Sequence, residues 1–236
     1  MSAAPNPRFE YAGSELELFE KARNWKAYWR SQIAGFVRGE VLEVGAGIGA
    51  NTATLAELEF QRWTCLEPDA TLASRIVLPP GGRHDTVVGT IGDVPAEARF
   101  DAILYIDVLE HIEDDRAEMV RAAARLKPAG ALIVLAPAHP FLFTPFDAAI
   151  GHFRRYTKHT IASLAPGGLR VQKLVYLDSA GLLASTGNRI ILNRALPSRR
   201  QIRIWDRLLV PVSRVVDPLL GGRAGKSILA VWRRES

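Results

Sequence analysis

The chain has a single cysteine, Cys65, in 236 residues, so no disulfide within the chain can staple it. Set in the apolar-aromatic run "RWTCL", that thiol reads as a buried strand residue rather than a nucleophile. No apolar run approaches the roughly 18 residues of a membrane span. The opening MSAAPNPRFE has no basic stretch followed by an apolar one, so no secretory leader is expected and a cytoplasmic location is read. Internal repeats and low-complexity tracts are missing too. Five histidines and one cysteine show no ligand spacing such as HxxxH, so no metal is expected. What remains is 48% hydrophobic and 23% charged, which excludes a disordered chain, and its length suits one domain.

The net charge of +5 is unevenly placed. From Arg189 to the end, eleven Arg/Lys face only Asp206, Asp217 and Glu235. Such a region suits nucleic acid, anionic lipid or a phosphorylated substrate, and equally a plain solvated surface.

Apolar periodicity divides the chain. Residues 1–13 read as a loose arm. A helix follows over "SELELFEKARNWKAYWRSQI", with Ser14 and Glu17 in capping-box spacing. Strands then alternate with helices: "VLEVG", "RWTCLE", "HDTVVG", "FDAILYID" and, after a Pro-Ala-Gly turn, "GALIVLAP". This βαβα rhythm predicts a parallel, doubly wound sheet covered on both faces. Residues 138–157 lose the period and read as a long loop over the sheet edge where such folds bind ligands. A strand "LRVQKLVYL", a basic helical stretch over 178–222 and a last strand "KSILAVWRR" complete the pass.

The glycines carry the chemistry. In "VLEVGAGIGANTATL", Gly45, Gly47 and Gly49 separate a buried strand from a helix, so a ligand can lie against bare backbone at a helix N-terminus. The spacing, with Glu43 ahead of it, is ExGxGxG and not the GxGxxG of dinucleotide enzymes. Glu67 ends the second strand in "CLEPD", Asp93 follows the third in "GDV", and "IDVLEHIED" ends the fourth. In this order the set resembles class I S-adenosylmethionine-dependent methyltransferases, over about residues 38–137. The resemblance implies an α/β, Rossmann-like sheet of seven strands, mostly parallel, with one antiparallel strand near the C-terminus. It implies a single domain: an arm and helix over 1–37, a cofactor core over 38–137, and over 138–236 an acceptor lid, a helical insertion and the last strands.

The cofactor implied is S-adenosylmethionine. Gly45 and Gly47 would seat its methionine part, with Gly49 also at the cofactor and Glu43 near the ammonium. Glu67, followed by Pro68, would take the ribose hydroxyls, because an ionised carboxylate offers two acceptors. Asp93 suits the adenine amino group with Val94 packed on the ring, while Ile106 and Asp107 border the ligand. Singly, Glu67 as a helix cap or Asp93 as a turn-former would serve as well; the joint order favours the ligand.

The stretch "GHFRRYT" (151–157) is close to a GHxRRYT pattern associated with methyltransferases of small or lipid-linked acceptors. An acceptor hydroxyl or amine needs a base, for which His152, His139, His111, Asp147 and Tyr156 are the candidates, and Arg154 with Arg155 suits an anionic group. The alternatives are bracing by His111 and ties from the arginines to Asp147 or Asp178. Phe141, Phe143, Phe146 and Phe153 point to a hydrophobic small-molecule substrate. The segment "QIRIWDRLLVPVSRVVDPLL" is amphipathic and suits a pocket wall, a membrane surface or a homo-oligomer contact. A nucleic-acid methyltransferase fits the basic end but lacks the Asn/Asp-Pro-Pro-Tyr motif, and a non-catalytic binding subunit is the third reading.

Overall fold

The computed structural model describes residues 15–78, 81, 83–191 and 198–235. The expected arm over 1–13 and the Ser14 cap lie outside the described residues.

Seven strands form one sheet in the order β3-β2-β1-β4-β5-β7-β6. They are β1 (Glu40–Val44), β2 (Arg62–Glu67), β3 (His84–Val88), β4 (Phe100–Ile106), β5 (Leu126–Pro137), β6 (Leu169–Leu177) and β7 (Ser227–Arg234). Pairing is parallel from β3 through β5; β7 runs antiparallel to both β5 and β6. The order reverses between β1 and β4, which opens a crevice at the carboxyl ends of those strands.

Side chains alternate across the sheet, so one strand feeds two cores. Val41, Trp63, Leu104 and Ile133 pack with Trp25, Trp29 and Ile33, while Leu42, Leu66, Tyr105 and Val134 pack with Met119 and Ile161 on the other face. The first face carries α1 (Glu15–Phe19) and α2 (Arg23–Ile33), not the single helix expected. The break has a cause: the backbone N–H of Trp25, in the unsatisfied first turn of α2, donates to Asp206 Oδ1 at 2.9 Å. A distant carboxylate thereby sets where the second helix begins.

Further helices are α3 (Ala50–Leu55), α4 (Ala70–Ala73), α5 (Asp115–Ala124), α6 (Pro145–Ala149), α7 (Lys158–Ala162), α8 (Ser179–Ile191), α9 (Arg199–Ile204) and α10 (Val210–Leu219). The "PAG" expected as a turn lies inside β5, where Ala129 has φ 59° and the register against β4 shifts. Residues 138–157 are also more ordered than a loop. Thr144 and Asp147 form a capping box around α6, with Pro145 opening that helix. Tyr156 N–H donates to Pro137 O at 2.9 Å and His139 N–H to Tyr156 O at 2.8 Å, fastening the lid's base to β5.

The insertion between β6 and β7 leaves and re-enters the sheet at one point, where Leu177 pairs with Ser227. Asp178 anchors it, accepting from Gly181 N, Ser213 Oγ and Trp205 Nε1. Asp217 accepts from Asp178 N, Ser179 N and, at 2.8 Å, Tyr28 Oη on α2. Between α9 and α10 the chain makes a π turn over Trp205–Leu209, directly ahead of Pro211, whose missing N–H interrupts the ladder. Among the described residues no helix is long and apolar enough to cross a membrane.

Candidate active site

A cavity of about 790 Å³ fills the crevice. Its floor is the β1–α3 turn, Gly45 to Ile48, closed by Ala50 and Asn51 of α3. Gly45, Gly47 and Gly49 all take positive φ (67°, 57° and 78°), which favours glycine. At Gly45 a Cβ would strike the Val108 methyls at 2.7 Å, whereas at Gly47 it would meet only the Leu16 methyls at 3.7 Å. Gly47 therefore faces space that a side chain would fill.

Glu67, at the end of β2, is buried, with Oε2 accepting Gly47 N–H at 2.7 Å and Oε1 accepting Asp69 N–H at 2.9 Å. Burial raises its carboxyl against those two bonds. It thus fixes the glycine turn, while Asp69, not Glu67, caps α4. Glu43 is buried in β1; its Oε2 accepts from Thr52 Oγ1 and Trp63 Nε1, and its Oε1 has no hydrogen-bond partner among the described residues. Desolvation pushes it up to about 7. Asp107, at φ 55° where β4 ends, is exposed and opens into the cavity.

On the opposite wall the lid meets the segment after β4. His152 Nδ1 lies 3.1 Å from Asp147 Oδ1, and Asp147 also takes Arg155 at 2.8 Å and Thr144 Oγ1 at 2.7 Å. Burial would raise Asp147, but the bond from His152 and the Arg155 charge hold it down at about 2. The other ring nitrogen, Nε2, faces Glu110 Oε1 at 3.9 Å. Glu110 is fully buried, and neither of its oxygens has a hydrogen-bond partner among the described residues. His111 packs edge-on against His152 with ring centroids 4.5 Å apart, and burial lowers its imidazole to about 4.

A family model described as "Methyltransferase domain" matches residues 18–167, which include the floor, the β2 and β4 ends and the lid. The chain belongs to the methyltransferase-domain family. Curated relatives include a demethylmenaquinone methyltransferase of Tropheryma whipplei, 32% identical over 150 residues, covering 59% of this chain and 58% of that one. A ubiquinone biosynthesis O-methyltransferase of Xanthomonas euvesicatoria is 32% identical over 136 residues, covering 56% and 49%. The matches thus span only about half the length of those relatives. Among solved structures, the N-methyltransferase NodS of Bradyrhizobium japonicum with S-adenosyl-L-homocysteine aligns with TM-score 0.59 at 17% identity, over 92% of this chain and 88% of that one. Phosphoethanolamine N-methyltransferase 2 of Haemonchus contortus, in complex with S-adenosyl-L-methionine, gives 0.62 at 14%, over 94% and 56%. At those identities the likeness concerns the fold.

In this methyltransferase-domain chain, Gly45, Gly47, Ile106, Asp107, His111 and His152 line one cavity; Glu43, Gly49, Glu67, Pro68, Asp93 and Val94 do not. Asp93 is exposed and accepts Thr90 N–H and Oγ1 at 2.8 Å, closing a short turn. Three acceptor-side candidates have other partners and stand off the cavity lining. Arg154 pairs with Asp115 at 2.6 Å, Tyr156 Oη donates to Asp115 at 2.9 Å, and His139 Nε2 bonds Gly225 O at 2.9 Å. Phe141 and Phe153 are exposed, and of the four lid phenylalanines only Phe146 lines the cavity. The missing aromatic wall comes from Phe19, Trp25, Trp29 and Trp205. The pairing of Glu110 with the two histidines was also missed, because His152 lies 41 positions along the chain from His111.

Proposed function

We propose that the protein transfers a methyl group from S-adenosylmethionine to a small hydrophobic acceptor. The observation that carries this reading is one cavity holding both a bare glycine floor and the Asp147–His152 pair. The donor site fits: at Gly47 a side chain would occupy open cavity, and Glu67 keeps acceptor capacity beyond its two backbone bonds. Gly45, Gly47, Ile106 and Asp107 would hold the methionine end, Glu67 the ribose, and Asp93 with Val94 the adenine. When bound, S-adenosylmethionine supplies a methyl group already activated on a sulfonium.

The chain's task is then alignment, water exclusion and proton removal. Asp147 holds the Nδ1 side of His152, which leaves Nε2 to take a proton from an acceptor hydroxyl or amine. Arg155 acts through Asp147. Trp25, Trp29, Leu142, Phe146, Ile202 and Trp205 make the wall apolar.

Exposed Leu208, Val212, Val215 and Leu219 recur at four- and three-residue steps on the outside of the π turn and α10, while Ile202, Ile204, Trp205 and Leu209 of the same segment line the cavity. Arg199, Arg200, Arg203, Arg207 and Arg214 are exposed there, and both acids between 199 and 220, Asp206 and Asp217, are buried. That pattern suits an anionic membrane surface and a lipid-linked acceptor, a reading in line with the quinone names of the curated relatives. The test is radiolabelled methyl transfer by the purified chain to quinol and phenol acceptors, beside RNA and DNA. Transfer to quinols or phenols alone supports the reading; transfer to nucleic acid, or S-adenosylhomocysteine binding with no turnover on any of them, overturns it.

A further inference from the structure

We infer that Glu110, His111 and His152 form a divalent transition-metal site on the acceptor wall of the cavity. Its existence stands on geometry; its part in methyl transfer rests on the function proposed above.

One ligand atom from each of the three residues lies within 4.8 Å of the others. Tetrahedral zinc with bonds of 2.0–2.1 Å sets its ligands about 3.4 Å apart, so small side-chain shifts bring all three onto one ion. Two histidines and one carboxylate are a donor set that zinc and non-haem iron both take.

Three further observations favour a cation there. Glu110 is a fully buried carboxyl whose oxygens have no hydrogen-bond partner among the described residues, an expensive state that a cation resolves. Each histidine has its ring held from behind, His152 by Asp147 and His111 by the Gly151 backbone, as ligating histidines usually are. Asp147 is itself held by Arg155 and Thr144, so the support runs one layer deeper. Finally, all three residues line the cavity, which leaves coordination positions open to water or an acceptor oxygen. Spacing along the chain predicts no metal; the lid brings the third ligand from 41 positions away.

A cation at this point would lower the pKa of a coordinated acceptor hydroxyl, much as zinc does for water. The hydroxyl proton passes to bulk water. The oxygen pair then forms the O–CH₃ bond as the C–S bond breaks, leaving its electron pair on sulfur. Proton removal would pass from His152 to the metal, and acceptors would be hydroxyl-bearing.

The test uses the untagged full chain, stripped with chelator and titrated with Co²⁺ and then Zn²⁺, with S-adenosylhomocysteine binding measured on the same samples. We expect one Co²⁺ per chain with visible d–d absorption, displaced by Zn²⁺. Glu110→Gln and His111→Gln should weaken binding at least tenfold, while His139→Ala, outside the cluster, leaves it unchanged. Absence of the Co²⁺ band in the wild-type chain, or binding indifferent to Glu110→Gln, overturns the site. Failure of metal binding with intact S-adenosylhomocysteine binding removes the metal alone; the converse removes the donor reading and keeps the metal.

Discussion

Asp206 and Trp25 are 181 residues apart in sequence, yet the Asp206 carboxylate accepts the Trp25 backbone N–H at 2.9 Å and so caps α2 from another element. Asn24 Nδ2 donates to the same carboxylate at 3.3 Å, and the Trp25 and Trp205 rings meet at 5.8 Å. The contact joins two walls of the cavity. Asp206→Ala strands buried donors, and we expect a loss of about 1–3 kcal/mol in denaturant unfolding. Weaker S-adenosylhomocysteine binding should accompany it, because Trp25, Lys26 and Trp29 then lose their fixed position over the floor.

Gly47 tests the floor itself. A valine there is strained at φ 57° and fills open cavity. Calorimetry should show S-adenosylhomocysteine binding abolished in Gly47→Val, with circular dichroism confirming a folded chain. Retained affinity would place the donor elsewhere.

Asp147→Asn should separate chemistry from donor binding. It removes the charge that orients His152 while keeping the shape. Turnover on an accepted substrate should fall about 10²–10⁴-fold. Affinity for S-adenosylhomocysteine should stay within twofold, because Asp147 belongs to the lid wall and not to the glycine floor.

Glu43 carries a pH signature. Its carboxyl ordinarily titrates near 4.5 and is pushed up to about 7 in the fold. Between those values the folded chain keeps a proton that the unfolded chain has released, so stability falls as pH rises from 4.5 to 7. At 1.36 kcal/mol per unit this comes to about 3 kcal/mol. Glu43→Gln should flatten that part of the wild-type curve, measured by urea unfolding at stepped pH.

Leu208→Glu with Val215→Glu probes the outer face of the insertion. Both side chains are exposed, so the fold should tolerate the pair. Co-sedimentation with phosphatidylglycerol vesicles should drop at least fivefold, and methylation of a water-soluble phenol should not. Equal sedimentation of wild type and variant would reject the membrane reading.

The strands were legible because each is a short β-rich run bounded by turn residues, and "RWTCLE" and "LRVQKLVYL" match β2 and β6 end to end. The glycine turn was legible for a related reason: strand, glycines and helix are contiguous, so local chemistry fixes the turn. The opposite cavity wall was not. His111, His152 and Trp205 come from three separate segments, and only the docked lid and insertion bring them to one cavity. The partners of Arg154 and Tyr156 were hidden for a similar reason. Their residue types suit catalysis, but Asp115, a helix residue 39 and 41 positions away, holds both. The split between α1 and α2 was hidden too, since nothing near Ala22 in the sequence announces a cap supplied by Asp206.

The narrow neck where Leu177 faces Ser227 makes the insertion a cassette. Everything between those two residues leaves and returns at a single rung of the sheet, with Lys226 N–H bonded to Asp178 O across the opening. A different stretch, longer or shorter, can be spliced in without changing any strand pairing, provided it still supplies carboxylates to Trp25 N–H and Tyr28 Oη on α2. A graft at that rung that keeps those two contacts therefore re-lines the cavity wall now made by Ile202, Trp205 and Leu209 and leaves the β1–α3 turn in place.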